Sequence, residues 1–191
     1  MTVDPAIVIG VDPSLTAAGV ATAMTPECAA YGDDQFSVAT FGRDGKNDEP
    51  LYTRLERIEL LADQIRDRAV NLMQWPSLML IETPAYSKST GKTHDRSGAW
   101  WEVVRIFRRE LEIPVIEVSV QKVKTYATGK GNAAKQAVLL EVARRYPHVA
   151  ISNDNEADAF ALAAIGMRLI GAPIDDVPKT HLRAMEGLEF P

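Results

Sequence analysis

Cysteine is almost missing from this chain: Cys28 stands alone among 191 residues, so no intramolecular disulfide can form and a reducing compartment suits it. Long apolar runs are missing as well. No window approaches the ~18 consecutive apolar residues of a membrane span, and the N-terminal stretch MTVDPAIVIG has neither the basic flank nor the apolar length of a secretory signal. A soluble intracellular protein is the expectation. Histidine is scarce, and His94, His148 and His181 share no metal-ligand spacing. There is no internal repeat, no low-complexity tract and no linker long enough to divide the chain, so one domain with a full core is expected. Positive charge is in deficit, with a net charge of −5, which argues mildly against a nucleic-acid partner. The average hides an asymmetry, because residues 83–135 carry ten Lys and Arg against five Asp and Glu, a local +5 that leaves −10 elsewhere. A basic face on an acidic protein is a nucleic-acid footprint. On charge alone, a solvated helix face fits equally well.

What is present is organised around residues 7–21, IVIGVDPSLTAAGVA. Ile7, Val8, Ile9 and Val11 are mostly β-branched with no polar alternation, which suits a strand buried on both faces. That run stops at one carboxylate, Asp12. Residues 13–19 supply turn chemistry and residues 20–24 resume the apolar pattern, giving a central hairpin with Asp12 at its mouth. A third strand is expected over 35–42 and an exposed loop over 43–50. Leu55, Ile58, Ala62, Ile65, Ala69 and Leu72 form the stripe of an amphipathic helix over 52–73. Residues 78–81 are a second wholly apolar run that again ends in an acid, Glu82.

Residues 83–97 read as a polar loop. Residues 100–111 read as a helix with Trp101, Val104, Phe107 and Leu111 inside and Arg105, Arg108 and Arg109 outside. A fifth strand over 113–118 leads into a flexible basic loop, 119–132, and a helix over 133–146 with Val138, Val142 and Tyr146 on one side. In the last helix, 153–170, Asp158 shares the inward stripe with Leu162, Ile165 and Leu169, where surface acids do not usually sit. Three prolines follow in a tail over 172–191, which wraps the surface or frays.

If the two acid-ending strands are neighbours and the last helix packs beside them, Asp12, Glu82 and Asp158 converge. Mutual repulsion then raises a pKa or demands a cation, and all-oxygen ligation selects Mg²⁺ or Mn²⁺ over Zn²⁺. A pair of such ions about 3.5–4 Å apart can activate a water and stabilise a leaving oxygen in phosphodiester hydrolysis. Taken singly, each acid has a plainer reading. Asp12 fits a turn acid, Glu82 a partner for a neighbouring Lys or Arg, and Asp158 a first-turn acid favoured by the helix dipole.

The order β–β–β–α–β–α–β–α–α, with acids after strands 1 and 4 and in the last helix, resembles the RNase H-like fold. That implies an α/β architecture with a five-stranded mixed sheet, three strands antiparallel and the rest parallel, flanked by helices. Within it the sequence looks most like RuvC-type Holliday junction resolvases. The resemblance rests on GVDPSLTAAG around Asp12, LIET around Glu82, SVQKVKTYATGKGNAAKQAV from Ser119, and EADAFALA around Asp158. The third is the most specific. It implies a nuclease domain over 1–171 and a crossover junction endodeoxyribonuclease activity on four-way and other branched DNA. It also implies a homodimer with no membrane association, in the cytoplasm of a bacterium or a phage-infected host. The composition of the middle loop suits a phage-encoded version.

The same resemblance implies two Mg²⁺ per site, replaceable by Mn²⁺, held by Asp12, Glu82, Asp158 and a fourth ligand three residues earlier. That fourth position is Asn155, where the family usually has Asp or His; an amide brings no charge, so the second ion is expected to bind more weakly. Asp154 can reach the same face and ranks behind Asn155. Lys124 and Lys135 match basic positions that the family uses near the scissile phosphate. Lys122, Lys130, Gly129 and Gly131 are further implied DNA contacts, as are Tyr86, Lys88 and Lys92 in the loop after Glu82. Tyr86 would supply base stacking worth about 1–3 kcal/mol. Two other functions fit parts of the pattern. Asn155 suits a junction-binding protein with weak or no catalysis, and DPSLTAAG also resembles the first phosphate motif of actin-like kinases. A kinase would need a second Gly-rich motif, for which Asp44-Gly45 is a poor candidate.

Overall fold

The computed structural model describes residues 4–46, 48–84 and 93–190. Five strands form one sheet in the order β3-β2-β1-β4-β5: β1 (Ile7–Asp12), β2 (Ala18–Met24), β3 (Phe36–Phe41), β4 (Leu78–Glu82) and β5 (Val115–Val118). The pairs β1/β2 and β2/β3 are antiparallel, and β1/β4 and β4/β5 are parallel. The expected mixed sheet is therefore present, with β1 at its centre and buried along its whole length.

The helices are α1 (Pro26–Ala29), α2 (Leu51–Val70), α3 (Thr93–Arg105), α4 (Val120–Thr128), α5 (Lys135–Arg145), α6 (Asp154–Leu169) and α7 (Lys179–Leu182). Among the described residues no helix is long and apolar enough to cross a membrane. Two apolar layers sandwich the sheet. Val8, Leu78 and Leu80 pack with α4, α5 and α6 on one face, and Ile9, Val11, Met79 and Ile81 pack with α2 and α3 on the other. This alternation is the period-two pleat of buried strands.

Helix α6 lies against the middle of the sheet and is buried from Glu156 through Met167, as expected of a helix that is apolar all round. Glycines set how close it comes. A Cβ on Gly10 would stand 2.1 Å from the carbonyl oxygen of Ala159, and one on Gly19 would stand 1.9 Å from that of Asn155. Both obstacles are backbone, so neither position accepts a side chain without moving the helix.

Three segments differ from the sequence expectation. The basic stretch 119–132 is not a loop throughout, because α4 occupies most of it. Ser119 caps that helix by accepting a hydrogen bond from the Lys122 amide, Val123, Tyr126 and Ala127 bury one face, and Gly129 closes it at φ 76°. The helix expected over 100–111 begins earlier and buries a different stripe. Ala99, Trp100, Val103, Ile106 and Phe107 are inside and Trp101 is 64% exposed. Steps of 3.6 residues back from Phe107 reach Val103 and Trp100, the buried pair, whereas the expected stripe stepped by three to Val104 and Trp101; a π-helical turn over Ile106–Glu110, in which the Leu111 amide bonds the Ile106 carbonyl, ends the helix. In α2, Leu55 is exposed and Leu61 takes its place inside.

The tail wraps rather than frays. The Asp175 side chain is 3% exposed and accepts hydrogen bonds from Tyr126, Tyr146 and Arg168, with Arg145 at 3.6 Å, while Val177 and Ala184 join the core.

Candidate active site

The pleat decides where the acids point. Asp12 has the parity of Val8 and Gly10, and Glu82 that of Leu78 and Leu80, so both carboxylates leave the sheet on the face that α6 covers. Val11 pairs with Ile81 in the parallel register, which brings the two acids out at the same level. Asp158, one turn into α6, meets them there. All three line one cavity of about 270 Å³, together with Ser14, Thr83, Arg96, Trp100, Lys124, Lys135 and Asn155.

Burial is the largest influence on each acid. It raises Asp12 to about 7, helped by Asp158 and Asp154 and opposed by Lys135. Glu82 rises to about 9 through burial, then Asp12 and Asp158, against Lys135 and Lys124. Asp158 rises to about 6, with Lys135 and Lys124 opposing and Asp154 adding. These acids sense one another, so they form a single electrostatic unit.

Oxygen Oε2 of Glu82 and Oδ1 of Asp158 are buried without a hydrogen-bond partner, an arrangement that is costly unless a cation or proton arrives. Among the described residues no three His, Cys, Asp and Glu side chains are gathered tightly enough to hold a metal ion. The acids line the wall of one cavity instead of meeting at a point. Orphaned oxygens and an all-oxygen donor set nevertheless fit a hard divalent cation.

Asn155 stands in the cavity wall, and its Nδ2 donates to the Ala17 carbonyl at 2.5 Å, which leaves Oδ1 as the end available to a cation. Asp154 is differently engaged. It pairs with Lys135 at 2.9 Å, and that contact raises the pKa of the lysine and lowers that of the acid. The start of α6 is fixed by Asn153, which accepts from the Glu156 amide, and by buried Glu156, which accepts from the Ser152 amide at 2.8 Å, the Ser152 hydroxyl at 2.7 Å and the Thr40 hydroxyl at 2.9 Å. The end of β4 is held by the Trp100 indole, whose Nε1 donates to the Glu82 carbonyl at 2.9 Å.

The structure thus brings together Asp12, Glu82, Asp158, Asn155, Lys124 and Lys135. It does not bring Lys122, whose Nζ donates to the carbonyls of Ala184 at 3.2 Å and of Glu186, so its ammonium is held by the tail. Gly129 lies under His181, and its carbonyl accepts from Arg183. A Cβ on Gly131 would meet the Thr125 hydroxyl at 3.2 Å. Lys130 is exposed beside these glycines, outside the cavity lining. Tyr86, Lys88 and Lys92 lie outside the described residues. Gly45, in the poor candidate for a second phosphate motif, packs against the Arg57 guanidinium and does not line the cavity. Ser14 and Thr83 stand beside Asp12 and Glu82 in the quoted motifs without being named as lining residues, and Arg96 was not legible as one, since it lies in no motif with the acids.

Over 109 residues the chain is 36% identical to crossover junction endodeoxyribonuclease RuvC of Chlamydia trachomatis serovar L2, and 35% identical to that of serovar A. These matches take in 55% of the chain and 62% of each relative, so the chain spans less than two thirds of the curated relatives it matches. No family model matches. The fold is similar to Thermus thermophilus RuvC, with a TM-score of 0.58 at 21% identity over 87% of this chain and 97% of that one. A T. thermophilus RuvC structure in complex with Holliday junction substrate gives 0.60 at 18% identity, with the same coverage of both chains. The yeast mitochondrial Holliday junction resolvase Ydc2 gives 0.51 at 11%, over 82% of this chain and 75% of that one. Sequence over about half the chain resembles the curated RuvC proteins, and over most of its length the chain shares the mixed-sheet, RNase H-like fold of the solved RuvC structures.

Proposed function

We propose that the chain is a divalent-metal-dependent endonuclease that cuts branched DNA, four-way junctions above all. One observation carries this reading: three buried acids from β1, β4 and α6 share a cavity with two lysines, and two of their oxygens have no partner. The match to curated RuvC proteins and the likeness to a junction-bound RuvC support the substrate.

Asp12, Glu82, Asp158 and the Asn155 amide oxygen would hold Mg²⁺, with Mn²⁺ able to substitute. When bound, such ions polarise phosphoryl oxygens and make a water acidic enough to act as nucleophile. The chain's own residues do the rest. Burial keeps the carboxylates poorly hydrated, so their affinity for a cation is high. Lys124 and Lys135 offset part of the negative charge and place ammonium groups where the scissile phosphate would enter, and Asp154 keeps Lys135 there. A four-way junction needs cuts on two strands, so a C2 dimer is the working unit, with exposed Trp101 on α3 a candidate contact.

Incubating the protein with synthetic four-way, three-way and linear duplexes in Mg²⁺, Mn²⁺ and EDTA tests the reading. Junction-selective cleavage in either metal, lost in EDTA and in Asp158→Asn, is expected. Cleavage that survives Asp158→Asn intact would overturn it. Asn155 favours a second reading, a junction-binding protein with little catalysis, which predicts a gel shift without cutting at any concentration of either metal.

A further inference from the structure

We propose that Arg96 is a further substrate-contacting residue, whose guanidinium binds a backbone phosphate of the strand that crosses the cavity, from the side opposite Lys124 and Lys135. The inference rests on the nuclease reading of the same cavity.

Four observations converge on it. First, Arg96 lines the cavity, yet it comes from α3, in the layer on the far face of the sheet from α4 and α5. The end of the sheet where the acids emerge is therefore flanked by cations from both layers. Second, its side chain is uncommitted. Arg54, Arg57, Arg66, Arg105, Arg145 and Arg168 all pair with carboxylates, whereas Arg96 is exposed and has no hydrogen-bond or ion-pair partner among the described residues.

Third, the backbone beneath it is tied down. The neighbouring Asp95 is buried and takes a two-pronged contact from Arg54, whose Nε lies 2.9 Å from Oδ2 and 3.2 Å from Oδ1. A long, free guanidinium on a fixed turn loses less entropy on binding than one on a loose loop. Its planar fork also matches two phosphate oxygens. Fourth, the cations that chiefly offset the acids are Lys124 and Lys135, which share the cavity wall with Arg96. It stands at the rim, suited to a phosphate flanking the reacting one. A nucleic-acid strand offers such a phosphate at every nucleotide, so the contact adds affinity and carries no sequence preference.

Binding of a synthetic four-way junction is measured by fluorescence anisotropy in EDTA, across a salt titration, for the parent protein, Arg96→Ala and Arg96→Lys. Arg96→Ala is expected to weaken binding by about 3- to 10-fold at low salt and to reduce the slope of log K against log salt by about 1. Arg96→Lys should restore the slope and recover only part of the affinity, since it keeps the charge and loses the fork. A parent-like slope in Arg96→Ala would overturn the inference while leaving the nuclease reading in place. A parent protein that shows no salt-dependent binding to the junction would remove that reading, and this inference with it.

Discussion

Asp12, Glu82 and Asp158 give the metal-free protein a pH dependence whose sign follows from burial. Their pKa values rise from the unfolded 3.8 or 4.5 to about 7, 9 and 6 respectively. Between the unfolded and folded values the native state binds more protons than the unfolded chain, so its stability falls as pH rises from about 4 to about 9. Thermal melts in EDTA should show that fall, and Mg²⁺ should flatten its upper part by replacing protons with a cation. Asp158→Asn removes one of the repelling charges. Its melting temperature in EDTA at pH 8 should exceed the parent's, by about 2–4 °C for each kcal/mol of repulsion removed, while cleavage drops at least about 100-fold. A variant that loses both stability and activity would mean that Asp158 serves the fold and not the metal. The three acids were readable in the sequence because each ends an apolar run or interrupts an apolar stripe, a pattern with a high energetic cost and few explanations. Arg96 and the tail-held Lys122 were not readable, because an exposed cation's partner depends on which distant segment folds over it.

Helix α6 sets the site's dimensions through its seat on β1 and β2. Gly10 and Gly19 face the backbone of Ala159 and Asn155, so adding a methyl at either position pushes on the helix that carries Asp158 and Asn155. Gly10→Ala, one turn deeper, should cost about 1–3 kcal/mol in urea unfolding, in the range of an overpacked core. Gly19→Ala presses on the first turn of α6 itself, and its loss of Mg²⁺-dependent cleavage should be large relative to its loss of stability. Equal ratios of the two losses in both variants would show that the helix moves as a rigid whole. Helices α2, α5 and α6 followed from apolar periodicity, and strands β1 and β4 from unbroken apolar runs that each end in an acid, since burial on one face or on both writes itself into residue order. Helix α4 did not, because its buried face has only Val123, Tyr126 and Ala127, and its lysines mimic a loop. In α3 the expected stripe stepped by three from Phe107 to Val104 and Trp101, one residue off the 3.6-residue stripe through Val103 and Trp100 that is buried, and the π-helical turn after it left no local mark on the sequence.

At the scale of the molecule, the tail and the proposed second copy matter most. Asp175 ties residues beyond α6 to Tyr126, Tyr146, Arg145 and Arg168, and the same tail holds Lys122 and the carbonyl of Gly129. Removing a carboxylate from so buried a cluster leaves guanidinium groups unpaired, so Asp175→Ala should lose about 3–5 kcal/mol in denaturant unfolding. Such a loss would place residues 172–190 in the same cooperative unit as the acids. The proposed dimer makes a sharper demand, because each of its two sites would cut one strand of a junction. Extruding a cruciform in a supercoiled plasmid presents such a junction, and a first cut relaxes the plasmid and removes it. Parent dimers that cut both strands within one encounter yield linear product, whereas a dimer with one Asp158→Asn subunit can only nick. Mixing parent and Asp158→Asn protein, with time for subunits to exchange, should therefore shift the product from linear to nicked circle as the variant's share grows. Two independent monomers would give the same linear-to-nicked ratio at each concentration of active protein, whatever amount of variant is added.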